Sequence, residues 1–217
     1  MQCALLAFAF LLGAIPFGLL IARSKGVDIL SVGSGNIGAT NVWRALGPGP
    51  GSIVLLLDVL KGAIPAFLGK VLLNDDSWSF GLGLTAVLGH SLSPFLKFKG
   101  GKGIATGCGA LLGSNPLVGG ICLAVFGIVL GLTRYVSLGS ICAVIALASL
   151  GFILKLPTFV TVAYVVMAAF IILKHKDNVK RLINGTERKF NAKGRDESEG
   201  TKGTEATEPP ADVNHVG

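Results

Sequence analysis

Charge is scarce in this chain. Asp and Glu together number 12 and Lys and Arg 19, so charged residues make up 14% of the 217, where an ordinary soluble domain carries about 25%. That shortage excludes a soluble globular domain whose surface must be covered with ions. Cysteine is also sparse. The four, at 3, 108, 122 and 142, all fall in apolar stretches and lack the close spacing of a zinc, haem or redox motif, so they read as small buried hydrophobes. No charge precedes the first apolar run, residues 2–22, and Arg23 and Lys25 follow it; a signal peptide carries its charge in front. The formal net charge of +7 gathers at the ends of apolar runs and in the tail, which suits membrane topology and anionic headgroups rather than nucleic acid.

What is plentiful is apolar sequence, at 51%, and glycine, at 31 residues. Membrane helices use glycine where they cross closely. The composition therefore predicts an all-α integral membrane protein, with one transmembrane domain over 1–190. Apolar runs predict spans over 2–22, 51–72, 78–93, 138–154 and 158–174. The 29 residues from Ile104 to Leu132 exceed the roughly 20 that one span needs. Splitting them at Asn115-Pro116 gives seven transmembrane helices. That count leaves the N-terminus outside and places Lys174, Lys176, Lys180, Arg181 and Arg188 in the cytoplasm, as the positive-inside rule asks. Residues 191–217, rich in Lys, Gly, Glu, Thr and Pro, bury too little to order themselves and are expected to form a disordered cytoplasmic tail.

Two Gly-rich cytoplasmic loops interrupt the apolar runs. The first is Ser34-Gly35-Asn36-Ile37-Gly38-Ala39-Thr40-Asn41-Val42-Trp43-Arg44, and the second runs from His90 through Lys99-Gly100-Gly101-Lys102-Gly103-Ile104-Ala105-Thr106. Glycines let backbone N–H groups face a ligand, and the surrounding amides, hydroxyls and cations add donors, so the pair suits an oxyanion such as phosphate. A third segment follows the last apolar run, with His175, Asn178 and Arg181 recurring every three residues on one helix face and Glu187 close behind. Within the 51–72 helix, Asp58 and Lys61 stand three apart. They either pin that helix to its neighbours or line the same site, with Lys61 on phosphate and Asp58 orienting it. Donor-rich loops enclosed by apolar helices are compatible with a lipid enzyme, a phosphate-ester or anion transporter, or a membrane scaffold.

The first loop resembles the first signature of the bacterial membrane glycerol-3-phosphate acyltransferases that use acyl-phosphate. His90, Phe95 and Phe98-Lys99-Gly100-Gly101-Lys102-Gly103 with Ala105-Thr106 are similar to their second, and His175, Asn178, Arg181, Gly185 and Glu187 to their third; Asp58 with Lys61-Gly62 matches a further pattern. The resemblance covers about residues 3–190. It implies transfer of a fatty acyl group from acyl-phosphate to the 1-hydroxyl of sn-glycerol 3-phosphate, in the bacterial inner membrane. It implies a functional link to the enzyme that supplies acyl-phosphate. No carboxylate cluster suited to Mg²⁺ appears in the sequence, so no metal or cofactor is expected.

Carried over, the likeness puts Gly100, Gly101, Lys102, Gly103 and Thr106 on the acyl-phosphate. Ser34, Asn36, Asn41, Arg44, Lys61, His175, Asn178 and Arg181 fall on glycerol 3-phosphate, and Asp58 and Glu187 are orienting groups. The expected catalytic residues are Ser34, Arg44, Lys102, His90 and His175; a substrate phosphate oxygen is the preferred acceptor of the hydroxyl proton, with His90 or His175 as the competing general base.

Overall fold

A computed structural model describes residues 1–192 as an all-helical bundle. Part of the expected tail, residues 193–217, lies outside the described residues. The elements in order are α1 (Gln2–Ala14), α2 (Phe17–Ser24), α3 (Ala39–Leu46), α4 (Pro48–Leu73), α5 (Asp76–Ser91), a 3-10 turn (Pro94–Leu96), α6 (Ile104–Ser114), α7 (Pro116–Thr133), α8 (Val136–Ile153), α9 (Thr158–Lys174) and α10 (Lys176–Ile183).

The expectation of seven transmembrane helices is corrected by these lengths. Four stretches are long and apolar enough to cross a bilayer: Gln2–Ser24, which joins α1 and α2, then Pro48–Leu73, Pro116–Thr133 and Val136–Ile153. A fifth is reached only if α9 and α10, bent by 61° against each other, form one broken span. The physical reason is rise per residue. At 1.5 Å each, the 16 residues of α5 and the 11 of α6 fall below the roughly 17 residues that even a short span uses. Hydropathy alone counts apolar sequence beyond a helix end as span. Leu92 and Ser93, for example, lie past the end of α5, and the hydroxyl of Ser93 bonds to the Ala14 carbonyl at 2.7 Å.

Chain breaks follow the local chemistry. Pro16 separates α1 from α2, and the carbonyl of Ile15 at that break accepts from the Lys61 ammonium at 2.9 Å. Asn115 ends α6 and caps α7, its side-chain oxygen accepting from the Val118 N–H at 3.2 Å, with Pro116 in the first helical position where no N–H is needed. Asp75 caps α5 in the same way, accepting from the N–H groups of Ser77 and Trp78. Glycine permits a close crossing of α4 and α6. A Cβ on Gly62 would lie 2.0 Å from the Thr106 carbonyl oxygen, and one on Gly109 would lie 1.9 Å from that of Val59, so α4 and α6 meet backbone to backbone.

Loop ends converge at one end of the bundle. There the chain after α10 folds back: the N–H of Phe190 donates to the Arg134 carbonyl at 2.6 Å, and the Phe190 ring packs on Trp43 with centroids 5.4 Å apart. Large apolar side chains on the flanks, among them Leu56, Phe67, Val71 and Ile128, are exposed, as helices facing lipid should be.

Candidate active site

Each of the three donor-rich segments has its own internal scaffold. In the first loop, the Asn41 amide is fully engaged. Its nitrogen donates to the carbonyls of Ile29, Val32 and Asn36, and its oxygen accepts from the Ser34 N–H at 2.9 Å. The Asn36 side chain accepts from the Gly38 N–H at 2.9 Å, ahead of α3. Both amides shape the loop, leaving Ser34 exposed and Arg44 on α3. In the second loop, the N–H of Gly101 donates to the His90 carbonyl at 3.2 Å. A Cβ on Gly101 would sit 2.2 Å from His90 Nε2, and one on Gly100 2.0 Å from the His90 carbonyl oxygen. His90 therefore holds this loop from behind. Lys97 and Phe98 adopt left-handed φ of 51° and 63° in succession, and Gly103, at φ +79°, starts α6 without a side-chain cap. The first N–H groups of α6 are left for something else to bind.

The segments meet through a chain of polar contacts. Lys102 donates to the side-chain oxygen of Asn178. The Asn178 nitrogen donates to one oxygen of Glu187 at 2.7 Å, and the Arg181 Nε donates to the other at 2.7 Å. An Arg44 terminal nitrogen donates to the Arg188 carbonyl at 3.1 Å. Burial pushes the Lys102 ammonium down to about 8, with Arg181 and Arg44 adding to that and Glu187 opposing it. Burial alone would raise the Glu187 carboxyl. The Ser137 hydroxyl beside it, short of full hydrogen-bond geometry, together with Asn178 and Arg181 keeps it below the usual range.

These groups border a cavity of about 600 Å³. Ser34, Asn36, Asn41, Arg44, Asp58, His90, Lys102, Gly103, His175, Asn178, Arg181 and Glu187 all reach its wall. The remaining candidates do not. Lys61, 2% exposed, is spent on Asp58 at 2.7 Å, on the Ile15 carbonyl and over the Phe17 ring. Gly100 and Gly101 stand behind the wall against His90, and Thr106 is fully buried with its carbonyl against Gly62. Sequence reasoning missed Arg188 and Ser137, both on the wall; neither lies in a Gly-rich run or an obvious helical repeat. His175 Nδ1 meets the Ile171 carbonyl at 2.8 Å. Since that oxygen can only accept, the proton sits on Nδ1 and the neutral ring keeps its lone pair on Nε2. Away from the polar mouth the cavity becomes apolar, bounded by residues such as Leu84, Leu111, Phe126 and Leu147. Among the described residues, no group of three or more His, Cys, Asp or Glu is placed to hold a metal ion.

The chain is similar to known proteins over nearly its whole described length. Residues 3–185 match the family described as glycerol-3-phosphate acyltransferase. A protein of that name from Geobacter sulfurreducens is 46% identical over 191 residues, covering 88% of this chain and 98% of the relative. One from Aquifex aeolicus is 46% identical over 190 residues, covering 86% and 97%. The fold superposes on the crystal structure of PlsY (YgiH), described as an integral membrane glycerol 3-phosphate acyltransferase. The TM-score is 0.83 against its glycerol 3-phosphate form and 0.80 against its lysophosphatidic acid form. Both show 43% identity and cover 88% of this chain and 96% of the other.

Proposed function

Because the chain belongs to the glycerol-3-phosphate acyltransferase family, we propose that its three loop segments hold two substrate phosphates at the mouth of a cavity whose apolar part takes the acyl chain. The protein is an integral, multi-pass bacterial membrane enzyme. It transfers a fatty acyl group from acyl-phosphate to the 1-hydroxyl of sn-glycerol 3-phosphate, yielding lysophosphatidic acid and phosphate. The transport alternative lapses with that membership.

The contact chain Lys102–Asn178–Glu187–Arg181 carries the assignment of roles, since it joins the second and third segments at one cavity mouth. Lys102 and the open N–H groups at the start of α6 take the acyl-phosphate phosphoryl group, where the helix dipole also favours an anion. Ser34, Arg44, Asn178, Arg181 and His175 take glycerol 3-phosphate. Asn36 and Asn41 act through the shape of the first loop. Lys61, bound to Asp58 and the Ile15 carbonyl, is structural, and Glu187 orients Asn178 and Arg181.

The C1 oxygen then attacks the acyl carbon, the C–O bond to phosphate breaks, and phosphate leaves with the electron pair. Acyl-phosphate is a mixed anhydride and needs no acyl-enzyme. Placement and positive charge supply the catalysis. The hydroxyl proton passes to a phosphate oxygen of substrate, because His90 is closed in by Gly101 and sits 3.9 Å from Asp58. His175 Nε2 is the alternative acceptor; loss of the acidic limb of the pH–rate profile on replacing His175 would favour it.

The loop-bearing end faces the cytoplasm and the N-terminus faces outside. This orientation rests on charge, not on a span count. Arg23, Lys25, Arg44, Lys99, Lys102, Arg134, Arg181 and Arg188 belong to the loop end, against Lys70 and Lys155 at the other. Product formation by purified protein in vesicles, offered acyl-phosphate, acyl-CoA or acyl carrier protein in turn, tests the whole reading. Transfer from acyl-phosphate alone is expected. Failure with that donor would sink it.

A further inference from the structure

The cavity has a floor. On α5 its wall runs from His90 through Val87 and Leu84 to Phe80 and stops there; on α9 it runs from His175 through Ile171 and Met167 to Tyr164 and stops. On α8 it ends at Leu147. The steps are three or four residues, so one face of each helix lines the space. All three faces give out at a similar depth. Ten residues separate Phe80 from His90 and eleven separate Tyr164 from His175, so at 1.5 Å per residue the floor lies about 15 Å from the polar mouth. There the Phe80 and Tyr164 rings meet edge to face, with centroids 5.4 Å apart at 70°. Val118, Leu150 and Leu156 belong to the same apolar cluster as Tyr164, and none of the three reaches the cavity wall.

We infer that the Phe80–Tyr164 ring pair is the ruler of the acyl chain: it stops the chain's methyl end and sets which acyl-phosphates the enzyme prefers. This rests on the proposal that the acyl chain occupies the apolar part of the cavity. With C–C bonds of ~1.5 Å, each advancing somewhat less along a zigzag, a floor ~15 Å away accommodates roughly a dozen carbons in extended form. Longer chains must fold within the cavity or turn out between helices. Tyr164 is 2% exposed and Leu147 5% exposed, so the floor is held by close packing and does not yield freely. Phe80 and Tyr164 are specificity determinants. Neither touches the reacting atoms.

The test is a chain-length series of acyl-phosphates, with kcat/KM read for wild type, Phe80→Ala, Phe80→Leu and Cys122→Phe. Cys122 lies on the cavity wall and packs in the same cluster as Tyr164, so the last variant fills the space near the floor. Wild type should show a peak. Phe80→Ala should move it to longer chains by roughly two to four carbons, about the length of the removed ring in C–C bonds of ~1.5 Å. Phe80→Leu should move it less, Cys122→Phe should move it to shorter chains, and KM for glycerol 3-phosphate should hold in all of them. Transfer that proceeds with the same length profile in wild type and every active variant would overturn the ruler. A flat profile in wild type would do so too. No transfer from any acyl-phosphate by wild type would instead overturn the activity on which the inference rests.

Discussion

The ammonium of Lys102 and the side-chain oxygen of Asn178 are bonded across 76 positions of sequence. The pairing fixes the Asn178 amide completely. Lysine can only donate and an ionised carboxylate can only accept, so the oxygen must face Lys102 and the nitrogen must face Glu187.

Asn178→Asp keeps the oxygen toward Lys102 but sets a second oxygen against Glu187, now 2.7 Å from the Asn178 nitrogen. We expect kcat/KM to fall by at least ~10-fold, in line with the ~1–3 kcal/mol cost of leaving a buried polar group wrongly partnered. Adding Glu187→Gln should restore part of it by turning an amide toward the new carboxylate. Steady-state kinetics of the two single variants and the double variant measure this, and an additive double variant would refute the geometry.

Burial of Lys102 is expected to make the rate sensitive to mildly alkaline pH. Its ammonium, held down to about 8, is a cation below that value and neutral above it. The kcat/KM for acyl-phosphate should therefore fall as pH rises through about 8. The limb in kcat should lie higher, because a bound phosphate favours the cation. Lys102→Arg should keep its charge and lose the limb. Lys102→Ala should lose about 10²-fold or more at every pH, the scale of removing a charge-stabilising donor.

Lys61 separates a structural charge from a ligand. Lys61→Met strands Asp58 and the Ile15 carbonyl in a buried position, and breaking such a pair costs about 3–5 kcal/mol. Thermal unfolding in detergent should show a large drop, while KM for glycerol 3-phosphate in the folded fraction should stay near wild type. A raised KM with unchanged stability would return Lys61 to the phosphate site.

Gly101→Ala places a methyl 2.2 Å from His90 Nε2. His90 is 4% exposed, so the loop must move instead, and Lys102 with it. Misplacement on the ångström scale costs up to ~10²-fold in rate. Gly131→Ala, whose added methyl meets nothing within 4 Å, should leave turnover as it was. Equal rates for both variants would contradict the packing described.

Much of the candidate site's lining was legible in sequence because its chemistry is local. Glycines beside cations, or an i, i+3 run of His, Asn and Arg, announce donors wherever they fold. The parts that were not legible depend on backbone partners that carry no residue code. Nothing in the letters says that Lys61 will find the Ile15 carbonyl, that Asn41 will spend its amide on three carbonyls, or that Gly101 will lie on the His90 ring. The span count went astray for a related reason. Hydropathy records how apolar a stretch is, while the hydrogen-bonded length of α5 and α6 is set by Asp75, Gly103 and Asn115 at their ends.

The return of the chain after α10 bears on how the protein can be handled. The residues matched by the family description stop at 185, yet Glu187, the Arg188 carbonyl and Phe190 all hold parts of the mouth together. An affinity tag or reporter spliced in at the edge of the recognised domain would cut off this clasp and give an inactive product with an intact bundle. The junction belongs after Asn191.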